Sequence, residues 1–219
     1  MNLESRVQVL TIPVTPFMQN ARFITCEVTG KSAVIDPGGD PDKLLSVIAE
    51  HSLKVDAILL THGHLDHVGA ADILRDKLNV KIIGPHKDEL FWFDALPMQA
   101  QMFGFAPKET FLPDNWLESG DTVQVGEIRL EVLFCPGHTP GHIVFYEQSA
   151  KTVIVGDVLF KGGIGRTDFP KGNSAQLKES IKDKLFSLPE ETLVLSGHGE
   201  NTSIGHEKRT NPFMSGQYG

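Results

Sequence analysis

Three histidines and one aspartate fall within six positions, His62-Gly63-His64-Leu65-Asp66-His67. Imidazole and carboxylate groups packed this densely cost folding free energy unless a cation binds among them. Gly63 permits a tight turn, on which His62 and His64 point the same way. Asp66 and His67 can then address a second position. Three more donors each follow an apolar run: His138 after IRLEVLF, Asp157 after TVIVG, and His198 after TLVL. These nitrogen and oxygen donors include no thiolate, a set that suits Zn2+ and also Fe(II) or Mn2+. Seven donors are too many for one tetrahedral ion. They are a natural number for two ions sharing a carboxylate, with three histidines on one and two histidines plus Asp66 on the other. Asp157 is the expected bridge, because its two oxygens can span ions ~3.5 Å apart. Water held between such ions has its pKa lowered from about 15.7 towards 7, so hydroxide becomes the nucleophile. No serine or cysteine is then required.

The other histidines, His51, His86, His142 and His206, read as ordinary hydrogen-bonded residues, with His142 a candidate support for the ligands. Cys26 and Cys135 show no CxxC spacing and read as two free thiols of a reducing compartment. A nucleophilic pair of Cys135 with His138 is the weaker reading, given the metal's claim on that histidine.

The elements that must position these donors are legible as apolar runs. VQVLTIPV, RFITCEV and SAVIDPGG read as strands, the last ending in the turn Asp36-Pro37-Gly38-Gly39. Residues 42–52 carry Leu44, Leu45, Val47 and Ile48 at helical spacing. VDAILL (55–60) reads as a buried strand running into the histidine cluster, followed by a helix over 68–78 and the strand VKIIG. The stretch 86–111 predicts one or two short helices, and its aromatic part 90–111 is expected to pack in the core rather than form a substrate-facing wall or an oligomer surface. TVQVG, IRLEVLFC, IVFYEQ and TVIVGD then read as strands. Ser174 is the expected N-cap of a helix bearing Leu177, Ile181, Leu185 and Leu188, before a last buried strand, TLVLSGHG. Strands with interspersed helices in both halves predict two sheets between helices, in a single domain over 1–219 with internal two-fold character. Strand ends on one edge of such a sandwich can converge on one cleft.

Composition narrows the partners. The 219 residues carry a net charge of −8, with 40% hydrophobic and 22% charged residues, which suits a globular chain with a sizeable core. No basic patch offers itself to nucleic acid, and no apolar run approaches the ~18 residues that cross a bilayer. The N-terminus MNLESRVQVLTIPV does not read as a secretory leader, so the expected compartment is the cytoplasm.

The HxHxDH pattern of 62–67, with His138, Asp157 and His198, resembles the metallo-β-lactamase superfamily, and the likeness runs from VIDPGG to the C-terminal NPF. GDVLFKGGIGRTDFPKGN (156–173) is most similar to its short glyoxalase II-like, or hydroxyacylglutathione hydrolase, subgroup. The resemblance implies a four-layer αββα sandwich. It implies one metal held by His62, His64 and His138, the other by Asp66, His67 and His198, and Asp157 between them. It also implies hydrolysis of a glutathione-derived thioester such as S-D-lactoylglutathione. In that reaction Asp66 would orient the hydroxide, and Arg166, nine residues after Asp157, stands where it could reach a substrate carboxylate, with Lys161 helping; the competing reading of Arg166 is an ion pair with Asp168 on the loop surface. Two departures stand out. The chain ends about 20 residues after His198, so the helical extension that supplies glutathione-binding cations in glyoxalase II is expected to be missing. The loop GRTDF (165–169) resembles that of persulfide dioxygenases, which hold one Fe(II) through residues matching His62, His138 and Asp157, but Ile164 stands where those relatives have cysteine. A lactonase or a thioesterase for another carrier is the remaining reading on this scaffold.

Overall fold

The computed structural model describes residues 7–215. Residues 1–6, which begin the stretch MNLESRVQVLTIPV that does not read as a secretory leader, lie outside the described residues. Strands β1 (Val7–Val14), β2 (Gln19–Cys26) and β3 (Lys31–Ile35) precede helix α1 (Pro41–Glu50) and strand β4 (Lys54–Leu59). Helices α2 (Leu65–Val68) and α3 (Ala71–Leu78), strand β5 (Lys81–Ile83) and helices α4 (Leu90–Asp94) and α5 (Leu96–Phe103) follow. The second half holds β6 (Thr122–Val125), β7 (Ile128–Phe134), β8 (Ile143–Glu147), β9 (Thr152–Gly156) and the hairpin β10 (Leu159–Phe160) and β11 (Gly163–Ile164). It ends with α6 (Ser174–Ser180), a π-helical turn (Ile181–Leu185), β12 (Leu193–Ser196), β13 (Thr202–Ser203) and α7 (Ile204–Thr210).

One sheet runs β1-β2-β3-β4-β5 and the other β13-β12-β9-β8-β7-β6. Strand alternation explains the four layers. In β3 and β4, Ile35 and Leu59 face inward, packing with Leu130, Phe145, Ile154 and Leu195 of the other sheet. Their neighbours Val34 and Ile58 face outward, onto Leu44 of α1, Leu74 of α3 and Leu96 of α5. On the far side Val144, Val153 and Val194 pack against Leu177, Ile181 and Ile204 of the C-terminal helices. Strands buried on both faces are why these segments read as continuous apolar runs. The architecture is the αββα sandwich.

Topology then sets the position of the site. β7 and β9 both pair antiparallel with β8, and β12 pairs parallel with β9. β7, β9 and β12 therefore run the same way, and the chain leaves all three at one edge. Two backbone bonds tie that edge to the first sheet, Ile143 N–H to Thr61 O (3.0 Å) and Asn20 N–H to Gly197 O (2.7 Å).

Three details differ from the sequence reading. The helix expected over 68–78 is broken at Gly69-Ala70, where the Ala70 amide donates to Pro37 O at 2.9 Å. That contact seats the short helix bearing Asp66 and His67 on the Asp36 turn. The N-cap expected at Ser174 is Asn173, whose side chain accepts from Gln176 N–H at 3.0 Å. α7 carried no readable signal, because Ile204 is its one large apolar residue. Among the described residues no helix is long and apolar enough to cross a membrane.

Candidate metal centre

All seven expected donors meet at the shared strand edge, and they fall into two groups. Ring nitrogens of His62, His64 and His138 lie within 4.8 Å of one another, as do ligand atoms of Asp66, His67 and His198. Asp157 stands between the groups. Its Oδ1 is 3.2 Å from His67 Nε2, and its Oδ2 is 3.7 Å from His138 Nε2 and 3.6 Å from His198 Nε2. Asp66 Oδ2 completes the second group, 3.2 Å from His198 Nε2.

Hydrogen bonds on the far side of the rings set which nitrogen faces inward. His138 Nδ1–H donates to Arg166 O (2.7 Å), His198 Nδ1–H to Phe17 O (3.1 Å) and His67 Nδ1–H to Asp36 Oδ2 (2.9 Å). The Thr61 hydroxyl donates to Asp36 Oδ2 (2.6 Å) and so accepts from His62 Nδ1–H at 3.0 Å. Each neutral ring then turns an Nε2 lone pair to the centre. His64 is reversed, with Nδ1 3.2 Å from His62 Nε2 and 3.0 Å from His138 Nε2. At most one of those two contacts is a hydrogen bond, whereas a cation among the three nitrogens would use every lone pair. His67 Nε2 and Asp157 Oδ1 are likewise buried without a hydrogen-bond partner. A donor set of this kind fits a metal ion.

The electrostatics agree. Burial, then neighbouring imidazoles, push His62, His64 and His142 well below the ordinary histidine pKa, leaving lone-pair donors. Burial alone would raise Asp157, but His67, His138 and His198 pull it well below the usual carboxylate range. Burial opposes protonation of His67 too. The charges of Asp157 and Asp66, with Asp157 Oδ1 close by and the bond to Asp36, outweigh it and hold His67 well above its ordinary value.

Supporting groups hold the donors. His142 Nε2 accepts the Asp157 backbone N–H at 3.2 Å, and its ring stacks on His62 at 4.5 Å, the role expected for it. Asp36, which the sequence reading took only as part of a turn, collects Thr61 N–H (2.8 Å), the Thr61 hydroxyl and His67. Like Asp157, it is a carboxylate ending a buried strand, and that shared pattern was the available signal. Gly197 is obligatory by contact, since a Cβ there would sit 2.3 Å from Asp157 Oδ1.

Glu89 carried no signal at all. Its two oxygens accept Gly63 N–H (2.7 Å) and Gly141 N–H (2.6 Å), stapling the His62–His64 turn to the loop after His138. Burial pushes its carboxyl up to about 7 against the pull of Thr139 and those two amides. The folded state thus keeps a proton that the unfolded chain releases near pH 4.5, so this group's stabilisation falls as pH rises from 4.5 to about 7. Denaturant unfolding of metal-free protein should show wild type losing about 3 kcal/mol relative to Glu89→Gln over that window. An unchanged difference would mean that Glu89 is ionised throughout.

The remaining candidates separate. Arg166 lines the cavity above the cluster, with both guanidinium arms on Asp168 (2.7 and 2.6 Å) and its plane over Phe169. Lys161 pairs with Glu200 and is not among the residues lining the cavity. Burial pushes the Cys135 thiol up to about 12, which removes the nucleophilic pair with His138. Both cysteines are free and buried. The aromatic stretch is divided: Phe93 packs in the core against Phe111 and Trp116, while Trp92 and Phe103 line the cavity.

A family model described as the metallo-beta-lactamase superfamily matches residues 14–198. The chain belongs to that superfamily. It is 47% identical over 205 residues to hydroxyacylglutathione hydrolase GloC of Haemophilus influenzae, covering 93% of this chain and 96% of that one. Among solved structures it is similar to the BLEG-1 B3 metallo-beta-lactamase, at TM-score 0.88 and 35% identity over 95% of this chain and 100% of that one. It is also similar to TTHA1623 in a di-iron-bound form, at TM-score 0.84 and 38% identity over 93% and 99%. A metallo-β-lactamase fold with this donor cluster and this relative is that of a metal-dependent hydrolase, and it implies a bound metal.

Proposed function

We propose that this superfamily member hydrolyses thioesters of the hydroxyacylglutathione class, with S-D-lactoylglutathione as the reference substrate and two metal ions, Zn2+ in the first instance. The observation that carries this is the pair of three-donor groups joined by Asp157 beneath an open cavity. The Haemophilus relative supports the substrate class. His62, His64 and His138 would hold one ion, Asp66, His67 and His198 the other, and Asp157 would bridge. When bound, such ions polarise a carbonyl and acidify a water.

The chain's own residues do the rest. The Nδ1–H anchors fix four rings, so the donors need no reorganisation. Asp66, facing the cavity, orients the attacking water and accepts its proton. Thiolate is a good leaving group, so no strong general acid is needed. Arg166 can exchange Asp168 for a substrate carboxylate at little cost, because an exposed pair contributes only about 0–1 kcal/mol. Lys161, paired with Glu200 outside the cavity, is given no role in this proposal. The two unpaired thiols support a cytosolic location, which cell fractionation checks.

Metal-loaded protein should turn over S-D-lactoylglutathione; none hydrolysed would refute it as the reference substrate. A second reading, a sulfur oxygenase on glutathione persulfide with one Fe(II), rests on the GRTDF loop, whose Arg166 carbonyl anchors His138. That reading requires oxygen uptake and one iron per chain.

A further inference from the structure

The cavity over the cluster, about 610 Å³, has one polar side and one apolar side. The polar side is the donor cluster. An apolar wall beside it comes from α5 and two loops: Met98, Met102 and Phe103 on the helix, Phe105 just after it, Phe17 in the β1–β2 turn, and Phe169. The wall is continuous, for the Phe17 ring lies 5.8 Å from Phe103 and 5.3 Å from Phe105, and Phe103 lies 6.2 Å from Phe169.

α5 breaks the ordinary pattern of a surface helix. It buries Leu96, Gln99 and Ala100 on the core side, yet its outer side is apolar as well, with Met98 48%, Met102 62% and Phe103 38% exposed. A helix apolar on both sides next to open solvent needs a second apolar partner. Its outer side faces the reaction centre, and unbranched methionines adapt to varied apolar shapes.

Charge complementarity is sparse on the same wall. Among the described residues its one guanidinium or ammonium, Arg166 paired with Asp168, can meet at most one substrate carboxylate. Gln99 is fully committed, accepting Leu65 N–H and donating to Gly63 O and Trp92 O. A glutathionyl group carries two carboxylates and an ammonium, and burying them unpaired against this wall is unfavourable. The polar thiol carrier must therefore leave through the open mouth. The acyl group is left facing the wall, in a space far larger than a lactoyl group fills.

We infer that this wall is an acyl-chain subsite, and that the preferred substrates are thioesters of apolar, medium-length acyl chains. The inference rests on the thioesterase reading above for its chemistry, but binding tests it separately. S-alkylglutathione thioethers have no scissile carbonyl, so their affinity, read from tryptophan fluorescence or calorimetry, is independent of turnover. The dissociation constant should fall about two- to fourfold per methylene from methyl to hexyl, the factor expected for partial to full burial of each CH2. Met102→Asp, at an exposed position where folding is undisturbed, should cut the hexyl-to-methyl ratio to about threefold or less. Equal affinities across the series, or an undiminished ratio in the variant, would overturn the subsite. Acyl thioesters of glutathione from acetyl to hexanoyl should show kcat/KM rising in parallel. Hydrolysis of none of them would refute the thioesterase, while the thioether series would still decide the wall.

Discussion

Replacing Asp157 with asparagine should abolish thioester hydrolysis and lower the bound metal from two ions per chain to one or none. Asparagine keeps the shape, so the fold should survive and the effect isolates the second oxygen and the charge. In the native chain the two carboxylate oxygens face different groups, Oδ1 towards His67 and Oδ2 towards His138 and His198. An amide offers one acceptor and turns an N–H donor at the other group. Losing a shared ligand that stabilises developing charge through both ions should lower kcat/KM by at least about a thousandfold. Circular dichroism confirms folding, and elemental analysis with a thioester assay reads the outcome. Retention of more than about a tenth of the activity, a loss of under 1.4 kcal/mol in transition-state stabilisation, would contradict a bridging role.

The second large effect should come from a residue outside the two donor groups. Asp36 is 3% exposed and accepts from Thr61 N–H, the Thr61 hydroxyl and His67 Nδ1–H. Through Thr61 it also fixes the tautomer of His62, so one carboxylate orients a ring in each donor group. Asp36→Ala leaves those buried donors unpaired, which should cost about 3–5 kcal/mol. For a chain of this size the midpoint of thermal unfolding should drop by roughly 10 °C. Metal affinity should fall about 10–100-fold, because the rings lose their anchors. Thermal melts of metal-free protein and competition with a chelating dye measure the two effects separately. A variant that melts within about 2 °C of wild type would show that Asp36 is not the anchor.

The contrast between these carboxylates shows what the sequence could disclose. Asp157 was legible because residue type and place pointed to the same role: an acid directly after TVIVG, matching histidines after other buried strands. Asp36 follows SAVI in the same way, but the Pro-Gly-Gly after it also spells a turn, and that simpler reading absorbed it. Strands buried on both faces were legible for a related reason, since their apolar runs leave few alternatives. Glu89 illustrates the limit. Its function is to join Gly63 to Gly141 across the site, and contacts between distant backbone amides leave no mark on local composition. The break between α2 and α3 is set in the same way, by a carbonyl some thirty residues upstream in the Asp36 turn. On α5 the apolar residues were visible in sequence. Which of them face the core and which the cavity was decided by tertiary packing.

Whether two ion positions act as one hydrolytic centre is tested most directly by a stoichiometric titration. Metal-free protein is titrated with Zn2+, or with Fe(II) under anaerobic conditions, while hydrolysis of an acyl-glutathione thioester is followed. Activity should climb to a plateau at two equivalents per chain. Full activity at one equivalent, or no hydrolysis at any loading, would contradict such a centre.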